Sequence, residues 1–95
     1  MFEVKLLADT TEAGVRKIAV ETCQMVCSSM IEIAVSDGIV RHAEFTGGCH
    51  GNTQGVCALV AGMPVDEAVR RLDGISCKGR GTSCPDQLAR ALKLL

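Results

Sequence analysis

Six cysteines, at positions 23, 27, 49, 57, 77 and 84, are the residues of this chain best suited to chemistry. Thiolates bind zinc and iron, four of them make a closed tetrahedral site, and a pair can exchange electrons as dithiol and disulfide. None of the six forms a C-x-x-C pair, so neither a zinc-ribbon knuckle nor a thioredoxin-type motif is present. Four fall at boundaries between predicted elements. Cys27 precedes a strand, Cys49 sits in the loop Gly47-Gly48-Cys49-His50-Gly51, Cys77 lies in Ile75-Ser76-Cys77-Lys78-Gly79-Arg80-Gly81, and Cys84 opens the last helix. A helix N-terminus offers unpaired N–H groups and partial positive charge, which suits an anion, and Cys49 and Cys84 both have that setting. Metal binding or thiol chemistry is therefore expected at these four, against the plainer reading of unconnected thiols in loops.

The other candidates are weaker. Cys57 flanks an apolar helical stripe and reads as core packing. Cys23 stands four residues before Cys27; on a strand the two would share a face, making Cys23 a fifth ligand or a resolving thiol. His50 and His42 are assigned no role, the first as a solvated loop residue and the second as a surface residue of a strand.

The elements that must position these thiols are legible in part. Ile31, Ile33 and Val35 alternate on one strand, Asp37-Gly38 supplies a two-residue turn, and Ile39–Thr46 returns, giving a β-hairpin over about 29–46. Upstream, residues 2–7 read as a strand or extended arm, 9–12 as the acidic start of a short helix, and 17–24 as a strand. Residues 1–17 as a whole are expected to be an N-terminal extension or interaction arm. Downstream the period changes to that of helices: Val56, Leu59, Val60, Met63; then Val65, Ala68, Val69, Leu72 after Pro64; then Leu88, Ala91, Leu92, Leu95. Ser83 or Cys84 caps the third helix, with Pro85 in its first turn and Asp86 suiting its positive end. The expected fold is α+β: a small antiparallel sheet followed by three helices packed on one face, in a single domain over 1–95.

Composition bounds the function. The chain has 95 residues, a formal net charge of −1, two Phe and neither Tyr nor Trp. Without a clustered basic footprint or stacking aromatics, nucleic acid is not an expected partner. No apolar run is long enough for a membrane span, and Met1-Phe2-Glu3-Val4-Lys5 lacks the character of a secretory signal, so a cytoplasmic location is expected. In a reducing compartment cysteines point to metal or thiol chemistry rather than to disulfides.

The segment Thr82-Ser83-Cys84-Pro85-Asp86-Gln87-Leu88-Ala89-Arg90-Ala91-Leu92 resembles the signature of the TSCPD-domain family. The resemblance runs back through Val26-Cys27-Ser28, Asp37-Gly38, Phe45 to Gly55, Gly62-Met63 and Gly74-Ile75-Ser76-Cys77, covering about residues 24–92. It implies four family cysteines, Cys27, Cys49, Cys77 and Cys84, the same four that their positions select as ligands for zinc or an iron–sulfur cluster. It also implies kinship with the C-terminal domain of vitamin B12-dependent ribonucleotide reductases, and a ribonucleotide reductase or redox protein as partner. The family usually has Asn at the position of His50 and no cysteine at 23 or 57. More distantly, the arrangement resembles U-type iron–sulfur scaffold proteins, whose three cluster cysteines would correspond to Cys27, Cys49 and Cys84. That family has Gly-Asp where this chain has Ser28-Ser29.

Three function classes follow: a metal-binding module, a thiol/disulfide relay or accessory serving ribonucleotide reduction, and a structural interaction domain with incidental thiols. The chain is too short to hold a complete reductase and has no cobalamin or nucleotide-phosphate motif. Self-association is left open by the composition.

Overall fold

The computed structural model describes residues 2–48 and 50–95. Four strands, β1 (Lys5–Glu12), β2 (Val15–Glu21), β3 (Ser28–Ser36) and β4 (Ile39–Gly47), precede three helices, α1 (His50–Val60), α2 (Val65–Leu72) and α3 (Cys84–Leu92). The strands form one antiparallel sheet in the order β1-β2-β3-β4. The α+β architecture is thus the one expected from the sequence.

Alternation explains the sheet's single covered face, with an irregularity in the β3–β4 register, at Arg41, that keeps Val40 on the same side as Ala43. Ile18 and Val20 of β2, Ile31, Ile33 and Val35 of β3, and Val40 and Ala43 of β4 are buried, and their neighbours turn to the other side. Val60, Ala68, Leu88, Ala91 and Leu92 from the helices complete the core. Two tight turns set the register. Asp37 and Gly38 have φ of 54° and 72°, and Ala13 and Gly14 have 54° and 78°, the paired left-handed conformations that match a hairpin's twist.

Upstream of the hairpin the described residues form strands and no helix. Residues 9–12, expected to start a helix, lie in β1, where Asp9 pairs with Ile18 and Glu12 with Val15. Asp9 is bound by Arg16 of β2, at 3.0 Å to Nε and 2.7 Å to the guanidinium terminus, so its acceptors meet a neighbouring strand instead of helix N–H groups.

The helix stripes hold with one exception. Leu59 was expected in the core but is 75% exposed. The buried stripe of α1 is Thr53, Val56, Cys57 and Val60, so Cys57 occupies the place expected for leucine. α1 packs on β4, while α2 packs against α3 and α3 against β3. In α2, Glu67 accepts hydrogen bonds from both Arg70 and Arg71, the densest basic spot of the sequence, and holds those charges on one helix face. α3 is buried on nearly all sides, with Leu88, Ala89 and Ala91 fully enclosed.

This assignment predicts a sharp contrast. Leu88→Ala should destabilise the fold by about 3 kcal/mol through lost burial and the cavity left behind. Leu59→Ala should change it by less than about 0.5 kcal/mol. Chemical denaturation of both variants measures the difference.

Candidate metal centre

The start of α3 is built around a buried carboxylate. Ser83 takes extended backbone angles and caps the helix, its Oγ accepting from Asp86 N–H at 3.1 Å while its hydroxyl donates to Ile75 O at 2.7 Å. Asp86 is fully buried and accepts three hydrogen bonds: Gly74 N–H at 2.7 Å, the Thr82 hydroxyl at 2.6 Å and Arg90 Nε at 2.8 Å. Burial pushes its carboxyl up, but the hydrogen bonds from Arg90, Thr82 and Gly74, with the Arg90 charge, outweigh that and hold it below the usual carboxylate range.

Gln87, equally buried, extends the network. Its Oε1 accepts from Cys23 N–H at 2.9 Å, and its Nε2 donates to Phe2 O at 2.7 Å and to Thr82 Oγ1 at 3.0 Å. Thr82, Asp86 and Gln87 therefore bind the N-terminal segment, the β2–β3 loop and the α2–α3 loop to one helix end. Phe2 adds to this, with Arg90 5.8 Å from its ring centroid. Gly81 has φ of 87°, and a Cβ there would come within 2.9 Å of the Phe2 ring. A larger residue there would have to displace the Phe2 ring and would be strained by the left-handed backbone.

These tethered segments carry the thiols. Cys27, Cys77 and Cys84 line one cavity of about 70 Å³ together with Met25, Val26, Asn52, Arg80, Ser83 and Pro85. Cys27 and Cys77 are exposed and Cys84 is half-buried. Lys78 and Gly79, with φ of 54° and 73°, make a tight turn in which Arg80 N–H donates to Cys77 O, and Cys77 N–H donates to Thr82 O, both at 3.1 Å. Arg80 also reaches across to Met25 O at 3.3 Å, joining the two loops. Cys49 lies outside the described residues. Its predecessor Gly48 packs on Ser28, where a Cβ would stand 3.4 Å from the Ser28 side chain. Among the described residues, no three His, Cys, Asp or Glu side chains come close enough to hold a metal ion as they stand. The three thiols share a cavity without closing on a common point.

The remaining candidates separate from this cavity. Cys23 is half-buried in the β2–β3 loop rather than on a strand, and is not among the residues lining the cavity. Cys57 packs against the core, where burial, and secondarily the Glu44 charge, push its thiol up despite a hydrogen bond from the Phe45 backbone. His42 is exposed on β4, with Nε2 3.6 Å from Glu44. α1 begins at His50.

Sequence reasoning missed Ser28, whose Oγ lies 3.2 Å from Cys84 Sγ in a hydrogen bond. It also missed Thr82 and Gln87, and it read Asp86 only as a charge at a helix end. The available signal was the polar residues Thr82, Ser83, Asp86 and Gln87 directly before apolar positions too closely spaced to leave a wide polar face.

A small α+β domain with thiols gathered at the start of its last helix is the class that this geometry defines. The family model of the TSCPD domain matches residues 5–95, and the chain belongs to that family. Neither the curated proteins nor the solved structures contain a significant match to it. No described helix is long and apolar enough to cross a membrane.

The network predicts a pH signature. Because Asp86 is held below its unfolded pKa, the unfolded chain takes up the proton first. Its stabilisation is present above about pH 4 and is lost as pH falls through the folded value. Asp86→Ala should cost about 3 kcal/mol at neutral pH by leaving Gly74, Thr82 and Arg90 without their acceptor. It should also remove part of the acid-induced loss, which unfolding midpoints measured from neutral to acid pH will show.

Proposed function

We propose that the chain is a thiolate metal-binding domain in which Cys27, Cys77 and Cys84, with Cys49 as fourth ligand, hold zinc or an iron–sulfur cluster. The observation that carries this reading is that three cysteines from three separate segments line one cavity. The donor set fits: soft thiolates select zinc and iron–sulfur centres over hard cations. The exposure of Cys27 and Cys77 leaves an entry path for the ion. Cys49 is added because Gly48, its covalent neighbour, lies against Ser28, itself next to Cys27 and bonded to Cys84. A bound zinc would cross-link the loops, whereas a cluster would add the capacity to pass electrons.

A second reading has its own support. The bond from Cys77 N–H to Thr82 O folds the loop back so that Cys77 and Cys84 share the cavity. A dithiol placed this way can give two electrons and two protons to an oxidised partner and become a disulfide. The resemblance to reductase C-terminal domains points to ribonucleotide reduction as the process such a relay, or a metal-stabilised accessory domain, would serve.

Metal content separates the two. Protein purified anaerobically should carry near-stoichiometric zinc or iron, and Cys84→Ser should lose it and melt at lower temperature, because ligand loss and folding are linked. Cys57→Ala should keep the metal and lose only packing energy, on the order of 1 kcal/mol. Unchanged metal in Cys84→Ser would remove Cys84 from the centre and favour the relay.

A further inference from the structure

The two edges of the sheet are treated differently. At the start of β4, the Val40 N–H donates to Met63 O at 2.9 Å and Val40 O accepts from Gly62 N–H at 2.7 Å, with Ile39 bridged to Pro64. This edge is partly covered by the chain itself. β1, at the opposite edge, pairs only with β2, and all eight of its residues are exposed. Among the described residues no further backbone hydrogen bond reaches it. Such an edge is a template for another strand.

We propose that β1 pairs antiparallel with β1 of a second copy of this chain across a two-fold axis at Asp9, making one continuous sheet. Parity and charge carry the assignment. The register with β2 puts Lys5, Ala8, Thr10 and Glu12 on the open face, opposite Glu21, Ala19, Lys17 and Val15. It puts Leu6, Asp9 and Thr11 on the helix side, opposite Val20, Ile18 and Arg16, with Leu7 the extra residue of a bulge. Because of that bulge, Lys5 and Glu12, at opposite ends of the strand, face the same way. Centring the two-fold on Asp9 sets Ala8 against Thr10, Leu6 against Thr11 and Lys5 against Glu12, each pair on matching faces. The strand is self-complementary in charge, with a cation facing an anion at both ends. A one-residue slip breaks the facial match along the strand. The two Asp9 carboxylates at the axis are already paired with Arg16, so they do not meet as bare like charges. Leu6 and Leu7, 47% and 48% exposed, supply apolar surface for the second copy to cover.

Sedimentation of the protein as purified over a micromolar-to-millimolar series, with reductant present to exclude disulfide bridges, tests this, and charge changes at residues 5 and 12 separate strand pairing from bridging through a metal. The unmodified chain should reach a dimer. Lys5→Glu and Glu12→Lys should each weaken self-association by about tenfold or more, since like charges then meet at both ends. An equimolar mixture of these two variants should associate, because the heterodimer restores both opposite-charge pairs, and Lys5→Glu/Glu12→Lys should dimerise like the parent. All sites are exposed, and circular dichroism will confirm that the fold is kept. A chain that stays monomeric throughout, or a dimer indifferent to the charge changes and to mixing, would overturn the proposal.

Discussion

The structure turns on one buried carboxylate. A charge removed from water survives only if paired and hydrogen-bonded. Asp86 meets that condition by drawing in the backbone of Gly74, the hydroxyl of Thr82 and the guanidinium of Arg90. Gln87 does the same for Phe2 and Cys23. Among the described residues, no buried side-chain polar atom lacks a hydrogen-bond partner. A network satisfied this fully fixes the loops that feed it, whereas a half-satisfied one would be a liability.

That constraint sorts the cysteines. Those on segments the network ties down, Cys27, Cys77 and Cys84, meet at a cavity beside it. Cys23 reaches the network through its backbone, and Cys57 belongs to the buried stripe of α1. The TSCPD signature therefore contains two kinds of residue. Cys84 is the candidate for chemistry; Thr82, Ser83 and Asp86 build the helix start that presents it, and Pro85 fits that first turn without needing an N–H partner. Ser28 links them to the hairpin by its contact with Cys84.

Much of this was legible in the residues. Asp37-Gly38 marked the hairpin because two successive left-handed positions suit few other dipeptides, and the 3.6-residue period marked all three helices. Ala13-Gly14 escaped notice since alanine rarely takes φ near 54°. Asp9–Glu12 imitated a helix cap, and only pairing with β2, a contact across the chain, decides for strand. Leu59 gave way to Cys57 because the stripe of α1 is centred one helical row away, and the polar Thr53 belongs to it. The four boundary cysteines could be picked by position. The network behind them could not, since Asp86 and Gln87 draw their partners from residues 2, 23 and 74, far away in the chain, and leave no local pattern.

Supporting residues around a metal centre commonly shift its affinity about ten- to a hundredfold. The direct test of the account is a competitive chelator titration of Thr82→Val, a change of similar shape that removes the hydroxyl shared by Asp86 and Gln87. If the thiols form the proposed centre, the variant, folded by circular dichroism, should bind zinc more weakly than the unmodified chain by that range. Affinity equal to that of the unmodified chain would contradict the account, showing that the buried network shapes the fold without positioning the thiols.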